Sequence, residues 1–549
     1  MSTASKTSLG RFLALLLAFP ALGLGCGVEP AAPGIARPAP GLEFAYVDVA
    51  AAWGYLMRNR SGKDGIKEFI LEAIPPGIGV GDFDRDGRMD LFCPNGNDIS
   101  AYDPALRSVT MLPAESAPRD ALYWNRGGRF AEGAEAAGLA DTLWSYGTVV
   151  GDVNNDGWPD IYLCSWGPNR LFLNQRDGTF RDVAAKARVT GDPRDWSTGA
   201  CFLDYDRDGD LDLYVAQYAD VYELLANPTI TKVGAGNRPH GRSCEWKGLD
   251  VYCGPLGLRP LNDVLFKNLL QESGKLEFED VSKPAGVWLR DSANMRNESS
   301  AGPYYGFQPV SWDIDGDGWV DIFVANDSVA NVAWMNQRDG TFKDRAIEMG
   351  LAFSQADSVS QASMGVAVGD VNGDGLQDLV VTEFSHDQFN LLLGRRGAEG
   401  GAYFDEKAEK TGFREMTFKK LGWGALLFDP DHDGDDDVFC ACGHVYPEVD
   451  NFPDQQTTYR QYNLLVLNED PPRLKLRDVS AIAGPGLQVY KCSRAAVRVD
   501  IDGDGDLDIA TSEINDSPCL LRCDLDRSGG GRHWLQLLLR GDPERRVPL

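Results

Sequence analysis

Short apolar runs recur along the chain, each set off from the next by a cluster of aspartate, glycine and asparagine. Gly365-Val366-Ala367-Val368-Gly369 leads into one such cluster, and Leu379-Val380-Val381 leads out of it. Ile161-Tyr162-Leu163, Leu213-Tyr214-Val215 and Ile322-Phe323-Val324 stand in the same place after other clusters. Runs this short, β-prone and bounded by turn residues predict a unit of strand, tight loop, strand. A second element follows downstream. Asn174-Gln175-Arg176-Asp177-Gly178-Thr179-Phe180 returns letter for letter as Asn336 to Phe342, and in worn form as Asn125 to Phe130. Asp-Gly between apolar residues predicts a hairpin turn. Each repeat therefore holds about four strands, and four-stranded units repeated radially are propeller blades.

The polar clusters share one pattern, Asp-x-Asp/Asn-x-Asp-Gly-x-x-Asp, in seven copies that begin at Asp82, Asp152, Asp204, Asp313, Asp370, Asp429 and Asp500. An all-β, seven-bladed propeller with one such loop per blade follows. The starts lie 70, 52, 109, 57, 59 and 71 residues apart. The shortest gaps approximate the bare blade, and the longest includes Cys244 to Pro260. Phe44-Ala45-Tyr46-Val47-Asp48-Val49 reads as the last strand of a repeat, like Phe180-Arg181-Asp182-Val183. Placed in the final blade, it closes the ring and removes the free edge.

Alternate residues of a tight loop converge, so positions 1, 3, 5 and 9 predict a cage of oxygen ligands. Position 7 contributes through its backbone carbonyl, and glycine at position 6 permits the left-handed turn. The first loop offers Asp82, Asp84, Asp86, Arg88 and Asp90, and the second Asp152, Asn154, Asp156, Trp158 and Asp160. The third offers Asp204, Asp206, Asp208, Asp210 and Asp212, and the fourth Asp313, Asp315, Asp317, Trp319 and Asp321. The fifth offers Asp370, Asn372, Asp374, Leu376 and Asp378, and the sixth Asp429, Asp431, Asp433, Asp435 and Asp437. The seventh offers Asp500, Asp502, Asp504, Asp506 and Asp508. Hard oxygen donors without histidine or cysteine favour Ca²⁺, in up to seven mainly structural sites. An EF-hand would need a glutamate at position 12 between helices. That position is Cys93, Leu163, Val215, Val324, Val381, Cys440 and Thr511, all in β-prone runs.

The acidic loops change how composition is read. A net charge of −29 excludes nucleic acid as a partner, because no basic surplus exists to neutralise phosphates. With 43% hydrophobic and 10% aromatic residues the chain is not disordered. Seven bound divalent ions would bring the charge to about −15. At the N-terminus, Lys6 and Arg11, the apolar Phe12 to Phe19 and the small residues before Cys26 predict a secretory signal over 1–25. Cys26 after Gly25 predicts lipidation, and 26–41 a Pro/Gly/Ala-rich spacer. The predicted location is exported: a bacterial outer-membrane lipoprotein, or cell-surface or extracellular, with membrane contact only through that lipid. Removing Cys26 from the 11 cysteines leaves an even number, which suits an oxidising compartment. Cys244 with Cys253, and then Cys519 with Cys523, are the candidate disulfides.

These loops resemble the FG-GAP/VCBS repeats of integrin α-subunit propellers and of many bacterial exported proteins. As a whole the chain is similar to bacterial relatives of the cartilage acidic protein family, which join such a propeller to a C-terminal ASPIC/UnbV domain. The stretch Cys244 to Pro255, Gly443-His444-Val445-Tyr446-Pro447, and His533-Trp534-Leu535 with Leu537 and Leu539 carry that likeness over residues 42–540. The resemblance implies a propeller over 42–530 with a Cys-stapled insertion near 220–262. It also implies a truncated ASPIC/UnbV start, or a tail, over 531–549.

The inventory for catalysis is thin. The five histidines, His240, His386, His432, His444 and His533, form no HExxH pair and no evident nucleophile–base set. His432, at position 4 of the sixth loop, is expected to point outward, and His444 to be structural. Arg540-Gly541-Asp542 spells an adhesion tripeptide but lies in the tail. The expectation is a binding or adhesion platform for an extracellular protein or glycan, with no catalytic residue assigned. The alternative is an exported carbohydrate-active enzyme of lyase or dehydratase type, whose site Trp246, Tyr252, Tyr304 and Tyr305 would line. As packing residues, those rings would instead sit between blades.

Overall fold

The computed structural model describes residues 36–74, 76–103, 108–221, 243–256, 258–288, 304–356, 358–397 and 401–526. The signal segment, Cys26, His240, His533 and the Arg540-Gly541-Asp542 tripeptide all lie outside the described residues, as do most of the spacer and all of 531–549.

Seven antiparallel four-stranded sheets stand around one axis, and their strands are termed A to D from the axis outward. In blade 2 these are Trp144–Gly151, Asp160–Trp166, Arg170–Asn174 and Phe180–Asp182. In every blade strand B opens on the last aspartate of the acidic motif: Asp90, Asp160, Asp212, Asp321, Asp378, Asp437 or Asp508. Blade 7 takes its first three strands, Ser493–Val499, Asp508–Glu513 and Cys519–Leu525, from the end of the propeller. Its strand D is Phe44–Asp48 from the beginning, paired with Tyr46 opposite Cys523. The Tyr46 hydroxyl donates to the Leu507 carbonyl at 3.1 Å, so chain entry and exit are tied at a side chain as well as along the ladder.

Strand B is covered on both faces by neighbouring blades, which is why its runs are continuously apolar rather than alternating. Phe83, Phe92 and Leu122 of blade 1 pack with Ile161, Leu163 and Phe172 of blade 2 in one buried cluster. The same kind of cluster joins Val499, Ala510 and Leu520 of blade 7 to Leu91, Cys93 and Tyr123 of blade 1. The inner strands approach so closely that glycine is required there. A Cβ on Gly424 would lie 2.5 Å from the Ala496 nitrogen, and one on Gly365 within 1.8 Å of the Trp423 carbonyl.

All seven A–B loops have the same length, from motif position 1 to position 8. The long insertions fall on the opposite face, where B–C and D–A connections emerge. They include a hairpin of Ile99–Asp103 with Ser108–Met111, and the hairpin Ser243–Trp246 with Leu249–Tyr252. A two-residue ribbon also joins Gln461–Tyr462 to Tyr490–Lys491. Cys244 and Cys253 form a disulfide that staples the second hairpin. Cys519 and Cys523 do not pair: both are free and buried on one strand, four residues apart and so on the same face but too far along it for an S–S bond. Cys93, Cys164, Cys201, Cys440, Cys442 and Cys492 are also free and buried, so export does not rest on a set of disulfides here.

Candidate functional site

Each acidic loop winds around its first aspartate. In loop 1 the Asp82 oxygens accept the Asp86 and Gly87 N–H groups at 2.9 and 3.0 Å. In loop 4 Asp313 accepts those of Asp317 and Gly318 at 2.9 and 2.8 Å. The position-6 glycines take φ between 82° and 97°. Position 4 is left-handed too, at Arg85, Asn155, Arg207, Gly316, Gly373, His432 and Gly503. That requirement leaves position 4 without a fixed side chain while favouring glycine and other residues tolerant of the turn.

The closing aspartate is a strut between strands. In every blade one of its oxygens accepts a backbone N–H of strand C, for example Asn174 N to Asp160 at 2.9 Å and Asn468 N to Asp437 at 2.7 Å. In six blades the other oxygen accepts the N–H of motif position 2, from Phe83, Val153, Tyr205, Ile314, Val371 and Ile501. Loop 6 has Pro430 at position 2, which has no N–H, and Asp437 Oδ2 is left buried without a donor. Burial pushes Asp437 up to about 9, with repulsion from Asp431 and Asp435 adding to it, and pushes Asp160 up to about 8. A cation at these loops would relieve both the burial of charge and the mutual repulsion.

In at least four of the loops three of the motif's carboxylates converge. Ligand atoms of Asp82, Asp84 and Asp86 lie within 4.8 Å of one another, as do those of Asp204, Asp206 and Asp212. So do those of Asp313, Asp315 and Asp321, and of Asp429, Asp431 and Asp433. The oxygen-only donor set and the orphaned Asp437 and Asp210 oxygens fit a hard divalent ion. Glu272 joins Asp206 and Asp208 around the Lys267 ammonium, at 2.6 Å for the glutamate; it lies outside the motif and was not expected. His432 does not point outward: its ring is mostly buried and its Nε2 lies 3.8 Å from Asp506 of the next blade's loop.

A ring of asparagines also escaped the sequence reading. In five of the seven blades the last residue of strand C donates from Nδ2 to the position-2 carbonyl of the preceding blade's loop, and Gly394 and Cys523 hold the equivalent place in blades 5 and 7. These bonds are Asn125 to Ile501 (2.7 Å), Asn174 to Phe83 (2.9 Å), Asn268 to Val153 (3.0 Å), Asn336 to Tyr205 (2.8 Å) and Asn468 to Val371 (2.6 Å). The repeated Asn-Gln-Arg-Asp-Gly carries the signal, but by local pattern its asparagine is indistinguishable from a turn residue.

On the opposite face the insertions enclose a cavity of about 320 Å³. Trp246 and Tyr252 of the stapled hairpin face it, whereas Tyr305 is buried and donates to the Leu258 carbonyl at 2.9 Å. Trp246 stacks on His386 at 5.7 Å and meets Phe384 and Tyr446 at 5.8 and 6.0 Å. Beneath them His444 is fully buried, and burial lowers it to about 3, so its ring is neutral. Its Nδ1 accepts the Tyr446 N–H at 3.0 Å, which leaves the ring proton on Nε2, 2.9 Å from Ser385 Oγ. The histidine thus donates to the serine and cannot take its proton, the reverse of a nucleophile–base pair. Arg494, buried and without a carboxylate partner among the described residues, lies behind the cavity-lining Trp423 and outside the lining itself. It donates to the Ala73, Gly443 and His444 carbonyls and lies 4.4 Å over the Trp423 ring.

A family model described as an FG-GAP-like repeat matches residues 111–163, 152–215 and 313–381. Over 269 residues the chain is 24% identical to cartilage acidic protein 1 of Xenopus tropicalis, covering 44% of this chain and 40% of that protein. Over 92 residues it is 35% identical to the human protein of the same name, 17% of this chain and 14% of the relative. The chain thus spans two fifths or less of the length of these curated relatives. Among solved structures, an Agrocybe aegerita lectin that recognises non-reducing terminal N-acetylglucosamine aligns with TM-score 0.38 and 14% identity, over 83% of this chain and 96% of its own. BBS1N in complex with ARL6DN aligns with TM-score 0.38 and 9% identity, over 89% and 99%. Likeness at that level carries no argument about ligands.

Proposed function

For a seven-bladed propeller that carries FG-GAP-like repeats and weak homology to cartilage acidic protein 1, we propose an exported, calcium-stabilised binding platform whose insertion face takes an extracellular protein or glycan. The observation that carries this is the division of the two faces. One holds seven acidic loops of uniform length, and the other holds every long insertion and an aromatic cavity. Motif positions 1, 3, 5 and 9, with the position-7 carbonyl, would hold Ca²⁺, which supplies charge neutralisation and cross-links strand A to strand B. The neutral His444, donating toward Ser385, favours binding over turnover on the cavity face. A cell-surface location, with Cys26 carrying lipid, belongs to the same proposal.

The test is an array of extracellular glycans and proteins probed with the purified chain, run beside a turnover screen on the same polysaccharides. Binding that Trp246→Ala abolishes while the fold persists supports the platform. Cleavage of any polysaccharide overturns it in favour of the exported-enzyme alternative.

A further inference from the structure

We propose that the cavity beneath the Cys244–Cys253 hairpin binds the ammonium end of an organic cation, quaternary or alkylated. This assignment rests on the ligand-face reading above and adds a chemical class to it. The walls are rich in aromatic rings, among them Tyr218, Trp246, Tyr252, Phe384 and Tyr446. The carboxyl side chains there are Asp327 and Asp387, and among the described residues no lysine, arginine or histidine lines the space.

Asp327 is held in place by two hydroxyl groups. The Tyr218 hydroxyl donates to its Oδ2, and the Ser328 hydroxyl donates to Oδ1 at 2.7 Å. These donors fix the carboxyl group in orientation, and no described basic side chain pairs with it. Burial raises its pKa, and a cation bound beside it would favour the ionised form. Ser328 itself sits at φ 63°, a left-handed conformation that places its hydroxyl beside the preceding carboxylate. Aromatic faces carry the negative part of the ring quadrupole, so a ring of them beside a carboxylate attracts a cation and repels an anion. The hairpin's own Lys247 illustrates the affinity of the wall: its ammonium lies 5.6 Å from the Trp246 ring centroid, outside the cavity lining. A bare ammonium would lose hydration there with few acceptors to replace it. An alkylated one loses less, and its methyl groups bury apolar area against the rings. The net charge of −29 adds long-range attraction for the same ligands.

The experiment compares two ligands of one shape. Calorimetry on the full chain, in calcium-containing buffer, measures choline against its uncharged isostere 3,3-dimethylbutan-1-ol, with N-acetylglucosamine as a neutral sugar. Choline is expected to saturate, the isostere to bind at least about tenfold more weakly, and Asp327→Asn to remove most of that difference. Equal binding of the isostere, or no saturation by choline, overturns the cation assignment. Sugar binding without choline binding also overturns it, while leaving the platform reading intact. If Asp327→Asn fails to fold, judged by circular dichroism, the choline-to-isostere ratio on the unaltered chain decides alone.

Discussion

Removing the Asn268 side chain tests whether the asparagine ring holds neighbouring blades together. Asn268 is fully buried, and its Nδ2 donates to Val153 O of blade 2 at 3.0 Å and to Leu211 O of its own blade at 3.1 Å. Its Oδ1 accepts the Leu270 N–H at 3.2 Å. Asn268→Ala deletes three hydrogen bonds and strands buried carbonyls on both sides of the blade junction. Each bond contributes about 1 kcal/mol net, and the stranded groups add desolvation, so a loss of roughly 2–4 kcal/mol is expected. Asn268→Asp should lose more, because it replaces the donor with an acceptor facing two carbonyls about 3 Å away. The assay is urea unfolding followed by far-ultraviolet circular dichroism and tryptophan fluorescence. Coincident transitions with unchanged m-values permit conversion of the midpoint shift into energy. If both variants unfold within about 0.5 kcal/mol of the parent, the ring of asparagines does not hold the junctions.

Three further outcomes follow from the same geometry. Excess chelator should lower the unfolding temperature and added Ca²⁺ restore it, since a site at a hundred times its Kd contributes about 2.7 kcal/mol; an unchanged melt in chelator rules out structural calcium. Reducing Cys244–Cys253 should abolish binding at the cavity while leaving global unfolding nearly in place, because the staple closes a loop of sequence separation 9 outside the blades; loss of the whole fold would contradict this. Burial raises Glu513 to about 7, above its unfolded value, so the folded chain holds the extra proton. Its stability contribution is present below the unfolded pKa and lost as pH rises through about 7. Glu513→Gln should therefore match the parent near pH 4.5 and exceed it near pH 8, and equal pH profiles would refute that account.

Most of the fold was legible because the propeller writes its period into the sequence. Position 9 of each motif is the first residue of strand B, so counting aspartates located all seven sheets, and Phe44–Asp48 was recognisable as a displaced strand D. What stayed hidden depends on contacts between blades. The Nδ2 of Asn174 acts on Phe83, 91 residues away, and no local pattern distinguishes that from a turn asparagine. Cys519 and Cys523 looked like a short staple by separation alone, but a strand sets residues four apart on one face at a distance an S–S bond cannot span. His432 was misjudged for a related reason. Its outward direction from its own loop is toward the next blade, where Asp506 waits. Asp437 shows the opposite case, in which Pro430 at position 2 predicts from sequence alone which closing carboxylate lacks its second donor.

The same radial geometry explains why the ligand face could not be read from the repeats. Five of the seven A–B loops are enclosed by their own closing aspartate and by the asparagine of the next blade, as Val153 is by Asp160 and Asn268. An inserted residue there would break both ties and the neighbouring junction at once, and the seven loops keep one length. B–C connections are tied at their base, where the residue before strand C (Asp120, Asn169, Asp263, Asn331 or Asn463) accepts an N–H at or just beyond the end of strand B. Their length varies beyond that tie. Length and chemistry can accumulate there at small cost in stability. The stapled hairpin uses that freedom: its Trp246 reaches Phe384 of blade 5 and Tyr446 in the B–C connection of blade 6, although it emerges from blade 3. Contacts that cross three blades cannot come from a repeat whose ties join only adjacent blades. Specificity in this molecule is therefore carried by the segments that depart from the repeat, on a ring whose rigidity comes from the segments that keep it.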